Sequence, residues 1–128
     1  MRERRFEIRG RDLNPYNHVN SAVYATYLEE CRNGLIDEAL RGVAGSGDFR
    51  LARIAIDYRR ELTTEDGQVV VRTTVERVGT SSVTFREEIR TAGGELAADA
   101  EAVIVAYDPN RGGSRPITEA ERRAFEAS

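Results

Sequence analysis

Hydrophobic and polar positions change period twice along this chain, and each change marks an element. Arg4 to Ile8 alternates as a strand does. Apolar residues then recur at Tyr24, Tyr27, Leu28, Cys31, Leu35 and Ala39, the three-and-four spacing of one face of a long helix. Gly42 to Gly47 is a flexible connection, and beyond it the period becomes two. Ile54, Ile56 and Tyr58 alternate with polar neighbours, as do Val69, Val71, Thr73 and Val75, and then Val83, Phe85, Glu87 and Ile89. Asp66-Gly67, Gly79-Thr80 and Gly93-Gly94 supply turns, so these segments are expected as sequential antiparallel strands. A fourth long strand, Glu95 to Tyr107, is apolar on both faces from Ala102 to Ala106, as a central or interface strand would be. Asp108 to Gly113 ends it. Ile117 to Ala127 reads as a short C-terminal helix capped by Thr118, with Glu121 completing a capping box.

One striped helix and four or five antiparallel strands predict an α+β domain in which the sheet curls around the helix and buries its stripe. The 128 residues are expected to form one domain, 1–128. A sheet edge still needs cover, and two copies meeting edge to edge provide it, so a homodimer or a dimer of dimers is expected.

Composition narrows the function classes. Lys and Arg total 19 against 22 Asp and Glu, a net charge of −3, so no global basic field favours nucleic acid or an anionic membrane. No run approaches the roughly 18 apolar residues of a membrane span, and the N-terminus lacks the apolar core of a signal peptide. The chain therefore reads as soluble and cytoplasmic. Its one cysteine, Cys31, lies on the apolar helix stripe and is expected to fill core. There is no Cys or His pair with zinc spacing, no glycine-rich phosphate loop and no Gly-x-Ser-x-Gly elbow, so neither metal nor cofactor is expected.

Chemistry concentrates in the turn-rich segment from Arg11 to Tyr24, directly before the long helix. It carries Asp12, Asn14, Asn17, Asn20 and the only histidine, His18, whose ordinary pKa suits general-base work near neutrality. Asn20 or Ser21 is expected to cap the helix, and the free N–H groups of its first turn can bind an anion or a polarised carbonyl oxygen. Asp12 and Asn14 also fit a structural part, since both residue types bond to nearby backbone in turns.

The string Asp12-Leu-Asn14-Pro-Tyr-Asn17-His18-Val19-Asn20-Ser21-Ala-Val-Tyr24, followed by Leu28-Glu29-Glu30-Cys31-Arg32, resembles the hotdog-fold thioesterases of the 4-hydroxybenzoyl-CoA thioesterase type. Their signature runs roughly Asp-x-Asp-x-x-x-His-Val-Asn-Asn-x-x-Tyr. The resemblance implies a hotdog fold and a substrate channel at a dimer interface. It implies hydrolysis of an acyl-CoA or acyl-carrier-protein thioester by water. Asn14 stands where many members carry the carboxylate that attacks the thioester or activates water, and a carboxamide is neither base nor useful nucleophile at neutral pH. Asn14, His18, Asp12 and Glu30 are the expected catalytic set. Asn20, Ser21, Tyr24 and Arg32 are expected on the substrate. Glu30 enters by a further likeness to plant acyl-carrier-protein thioesterases, which carry a helical glutamate near the site. Arg32 enters by likeness to enediyne-polyketide thioesterases, which pair an asparagine at the Asn14 position with a helix arginine, so that the two orient water and stabilise the oxyanion. Two other readings stand beside hydrolysis: a non-catalytic acyl-thioester-binding hotdog protein, because the usual carboxylate is gone, and a hydratase or dehydratase on the same fold.

Overall fold

The computed structural model describes residues 1–128. In chain order it contains β1 (Arg2–Glu7), α1 (Ser21–Ala39), β2 (Phe49–Tyr58), β3 (Gln68–Val78), β4 (Ser82–Thr91), β5 (Leu96–Asp108), β6 (Gly113–Ser114) and α2 (Glu119–Ala127). The main sheet has the order β1-β3-β4-β5-β2 and is antiparallel throughout. It curls around α1, the hotdog arrangement, and α2 closes the far end.

The helix forms where the stripe predicts it. Tyr24, Tyr27, Leu28, Cys31 and Leu35 are all buried, and Arg32 and Ile36 widen the buried face. Asn20 is the N-cap, its Oδ1 accepting the Ala22 N–H at 3.1 Å. At the other end of the chain Thr118 and Glu121 form the expected box: Glu121 N–H donates to Thr118 Oγ1 at 3.1 Å and Thr118 N–H to Glu121 Oε1 at 2.9 Å. Phe125 of α2 inserts edge-on against Phe49 and Phe85, with ring centroids 5.6 and 6.3 Å away.

The hairpins β3–β4 and β4–β5 form as the glycine turns predict. Gly94, at φ 93°, makes the left-handed turn after β4, where a β-carbon would be strained. The expectation that all strands are sequential neighbours fails at β2. β2 pairs with β5, from Phe49↔Ala106 to Tyr58↔Ala98 with a bulge at Ala52, and sits at one edge of the sheet while β3 lies beside β1 at the other. Asp66-Gly67 therefore ends a crossover, not a hairpin; one edge of β3 is taken by β1, which precedes α1 in the chain. β5 is an interior strand, in keeping with its doubly apolar stretch, flanked by β4 and β2.

Two apolar clusters share the interior. One holds Tyr24, Tyr27, Leu28, Cys31, Val69, Val71 and Ile89; the other holds Leu35, Ile36, Phe49, Val83, Phe85, Ile104 and Phe125. α1 leans chiefly over β1, β3 and β4; from β2, Phe49 is buried, Ile54 and Ile56 are half-buried against the clusters, and Leu51 and Tyr58 stay exposed.

Candidate active site

The loop before α1 is built by its own short side chains. Gly10–Asp12 makes a 3-10 turn, and Leu13 and Val19 then pair across a small hairpin. Its tip runs from Asn14 to Asn17: Asn14 N–H donates to the His18 carbonyl at 2.8 Å and Asn17 N–H to the Asn14 carbonyl at 3.1 Å. Asn17, at φ 65°, is the chain's one non-glycine left-handed residue, a conformation asparagine tolerates. Asn14 Oδ1 accepts both the Tyr16 N–H at 2.9 Å and the His18 N–H at 3.1 Å. Its oxygen thus holds the tip, and its Nδ2 is the group left for a ligand.

His18 bridges to Thr63, and Val19 N–H donates to the Leu62 carbonyl at 2.7 Å, so the loop is stitched to the chain that leaves β2. That stitch places Glu61 Oε2 3.1 Å from His18 Nδ1. With its proton on Nδ1, toward the carboxylate, the imidazole would keep Nε2 as a lone-pair acceptor, the tautomer a base needs. At the start of α1, Asn20 Oδ1 takes the Ala22 N–H while the Ser21 N–H has no partner, so one backbone donor at the positive end of the helix stays open.

These groups share a cleft of about 460 Å³ lined by Asn14, His18, Asn20, Ser21 and Tyr24 on the loop and helix, and by Tyr58 to Glu61 on the far wall. Tyr24 is a buried wall: its hydroxyl donates to the Arg60 carbonyl at 3.1 Å, its ring meets Tyr58 edge-on at 5.0 Å, and burial raises its phenol, keeping it neutral. Tyr58 hydroxyl donates to the Ser21 carbonyl at 3.0 Å and ties the two walls together. The cations on the far wall are matched by carboxylates, Arg59 by Asp99 at 2.7 Å and Arg60 by Asp66 at 3.1 Å.

The structure does not bring the other expected residues to this cleft. Asp12 Oδ2 accepts the Arg9 N–H and the Tyr27 hydroxyl, each at 2.9 Å, and lies with Glu30 in a separate groove between α1 and β1. Helix phase is the reason for Glu30: it falls on the Val23, Thr26 side, roughly 120° around the axis from Tyr24. Arg32 points into the core, 2% exposed, with Nε and Nη2 on the two Glu87 oxygens at 2.9 Å each, so it does not join Asn14. Cys31 is fully buried and its thiol is pushed up to about 11, chiefly by burial, which removes it as a nucleophile at neutral pH. Sequence reasoning missed Glu61 and Tyr58. Glu61 lies in the polar run Arg59-Arg60-Glu61 that follows the β2 alternation, a signal of strand end but not of a partner 43 positions upstream.

The family model described as Thioesterase superfamily matches residues 16–98, more than half of the chain. The chain belongs to the thioesterase superfamily. Its motif and fold are those of the hotdog thioesterases, and the reaction class of the family is thioester hydrolysis. The structure resembles a Thermus thermophilus thioesterase complexed with coenzyme A and Zn at 30% identity, covering 98% of this chain and 92% of that one with a TM-score of 0.88. Two more distant structures share the fold. One is a Staphylococcus aureus protein in complex with CoA at 12% identity, 98% and 81% coverage and TM-score 0.87. The other is a 1,4-dihydroxy-2-naphthoyl-CoA thioesterase from Synechocystis at 17% identity, 97% and 94% coverage and TM-score 0.81. No curated protein matches the chain by sequence.

Proposed function

We propose that this thioesterase hydrolyses acyl-CoA thioesters, with His18 as general base. The observation that carries the reading is the convergence in one cleft of the Glu61-oriented imidazole, the free Asn14 Nδ2 and the unpaired Ser21 N–H at a helix start. The thioester carbonyl oxygen takes the Ser21 N–H, and Asn14 Nδ2 either donates to that oxygen or holds the attacking water. His18 Nε2 accepts the proton as water adds to the carbonyl carbon. The tetrahedral intermediate then breaks its carbon–sulfur bond, expelling CoA thiolate, which takes up the proton; the products are a free acid and CoA. Thiolate is a good leaving group, so no covalent acyl-enzyme is required, and Asn14 offers no carboxylate to form one. The CoA complex of the Thermus thermophilus relative favours CoA as the carrier.

We further infer that two copies join along β2, whose outer edge is unpaired and whose inner face carries Leu51 at 46% and Tyr58 at 52% exposure. Because β2 leads directly into the cleft wall, such pairing would set the cleft at the boundary between subunits. Turnover of a panel of acyl-, aryl- and phenylacyl-CoA thioesters, followed by thiol release, tests the hydrolase reading. Ligand-induced thermal stabilisation by these compounds without any thiol release would overturn it in favour of a binding protein.

A further inference from the structure

The inner face of β2 is apolar at Leu51, Ile54, Ile56 and Tyr58, half-buried against the core at the two isoleucines and exposed at Leu51 and Tyr58. Tyr58 forms a wall of the Asn14 and His18 cleft, so the strip begins at the reacting centre and runs back along β2 toward the middle of α1. Its other end opens into a second cleft of about 190 Å³, lined on the helix by Glu29, Arg32, Asn33 and Ile36 and on the strand by Phe49 and Leu51.

Arg32 is the unusual member of that lining. Two of its nitrogens are committed to Glu87, and Glu87 also accepts from Thr73 Oγ1 at 2.8 Å. The third, Nη1, makes no hydrogen bond. It is not sealed from solvent either, since the one fully enclosed polar side-chain atom without a partner is Arg2 Nε. A side chain 2% exposed therefore keeps one nitrogen, Nη1, unbonded and narrowly open at the edge of an apolar strip.

We propose that Arg32 Nη1 is the far end of an acyl subsite and donates to a neutral oxygen, a keto or hydroxyl group, carried on the acyl moiety. The inference rests on the acyl-thioester reading for the identity of the ligand. A neutral acceptor is selected because Glu87 already cancels the Arg32 charge, and a second carboxylate in this enclosed place would sit uncompensated beside Glu87. A plain hydrocarbon would displace water from Nη1 and return no hydrogen bond, which is how a site built to bond an oxygen rejects the analogue that lacks it. Ser21 and Arg32 are separated by about 16 Å along the helix axis. Helical side chains lean toward the N-terminus, which shortens that span. The oxygen accordingly belongs on the outer half of a medium-length chain or on the far ring of an aromatic acyl group.

Calorimetric binding of non-hydrolysable thioether analogues of CoA tests this without turnover: S-alkyl chains of graded length, each beside matched keto, hydroxyl and carboxylate-tipped versions. The keto or hydroxyl analogue at one length should bind about 10-fold or more tighter than its alkyl match. Arg32→Lys keeps the charge facing Glu87 but removes Nη1, and the double variant Arg32→Met with Glu87→Leu removes the pair as a unit; both should bring the ratio near one. Thermal melts establish that each variant is folded. A ratio near one at every length in the parent, a ratio surviving in both variants, or a carboxylate tip preferred to the neutral ones would each overturn the inference. Binding with the expected ratio but no hydrolysis of the thioesters would instead overturn the hydrolase reading alone, and no binding of any analogue would overturn both.

Discussion

Glu61 Oε2 lies 3.1 Å from His18 Nδ1, although 43 positions separate the two residues and neither is deeply buried. The bridge between His18 and Thr63 holds the two backbone segments side by side, which brings the side chains within reach. A carboxylate at that distance from Nδ1 favours the tautomer with Nε2 free to take the proton that water gives up. His18→Ala is expected to lower kcat by about 10²-fold or more. Glu61→Gln, whose amide can donate to Nδ1 as well as accept from it and so no longer fixes the tautomer, should cost less than His18→Ala and should act on kcat with KM little changed. Steady-state kinetics on one acyl-CoA checks both, and equal turnover in folded His18→Ala protein would remove the imidazole from the mechanism.

Asn14 has two jobs that substitution can separate. Its Oδ1 holds the loop tip through the Tyr16 and His18 N–H groups, and its Nδ2 makes no hydrogen bond while the residue lines the cleft. Asn14→Asp preserves both accepted bonds and restores a carboxylate where the resembling enzymes carry one, so it should fold normally and turn over at least as fast as the parent. Asn14→Ala loses both bonds and the amide. Its melting temperature should fall, and turnover per folded molecule should drop by roughly 10-fold or more if the amide orients water or the carbonyl oxygen. Undiminished turnover in folded Asn14→Ala protein would confine Asn14 to shaping the turn.

What is legible in the chain is local. The α1 stripe, the Asn20 cap, the Thr118–Glu121 box and two hairpins all rest on side chains within a few positions of one another, and each forms as expected. The failures are non-local. Nothing near Ile54 or Ile56 says that their strand will pair with β5 and leave an open edge, because that choice depends on β1 already occupying one side of β3. The same topology hides Glu61 as a partner for His18. Asp12 and Glu30 fall outside the His18 cleft for a different reason: carboxylates on a loop and a helix look equivalent in sequence, but Tyr27 and Arg9 claim the first and helix phase turns the second toward β1. The charge of Arg32 suggests a residue for substrate oxygen, while its place on the buried helix face puts Glu87 within reach.

The β2 edge makes a prediction about mass. An unpaired strand with exposed apolar side chains at Leu51 and Tyr58 is the feature native sheets hide, and a second copy offers a matching edge. Sedimentation at micromolar concentration should give at least twice the 14.3 kDa of one chain. A strictly monomeric species with full turnover would contradict both the pairing and a cleft set between subunits.

Acid should expose the tie that fastens α2. Arg115 donates to both Glu121 oxygens at 2.8 Å, and this contact, with the Thr118 N–H, holds the Glu121 carboxyl below its ordinary value against the opposing effect of burial. A depressed folded value means that the stabilisation is complete above the ordinary glutamate range and is lost as pH falls through the folded value. The melting temperature of the parent should therefore decline on acidification below about pH 4.3 more steeply than that of Glu121→Gln, which has no such proton to take up. Parallel declines in the two proteins would show that the Arg115–Glu121 pair does not link α2 to pH.

The buried pair of Arg32 and Glu87 should be strongly non-additive. It lies between the two apolar clusters, 2% and 0% exposed at the side chains, with Thr73 on the carboxylate. Removing one partner leaves a charge in a place water barely enters, so Arg32→Met alone and Glu87→Leu alone should each destabilise the fold by about 3–5 kcal/mol. The double variant removes both charges and supplies apolar volume to a gap that separates two apolar clusters. It should recover most of that loss, because the pair's attraction is spent largely on its own desolvation and only Thr73 is left to find another acceptor. Urea unfolding of the four proteins closes the cycle. If the single losses simply sum in the double variant, Arg32 and Glu87 are not coupled, and the pair would be an ordinary set of contacts instead of a charged unit seated in the core.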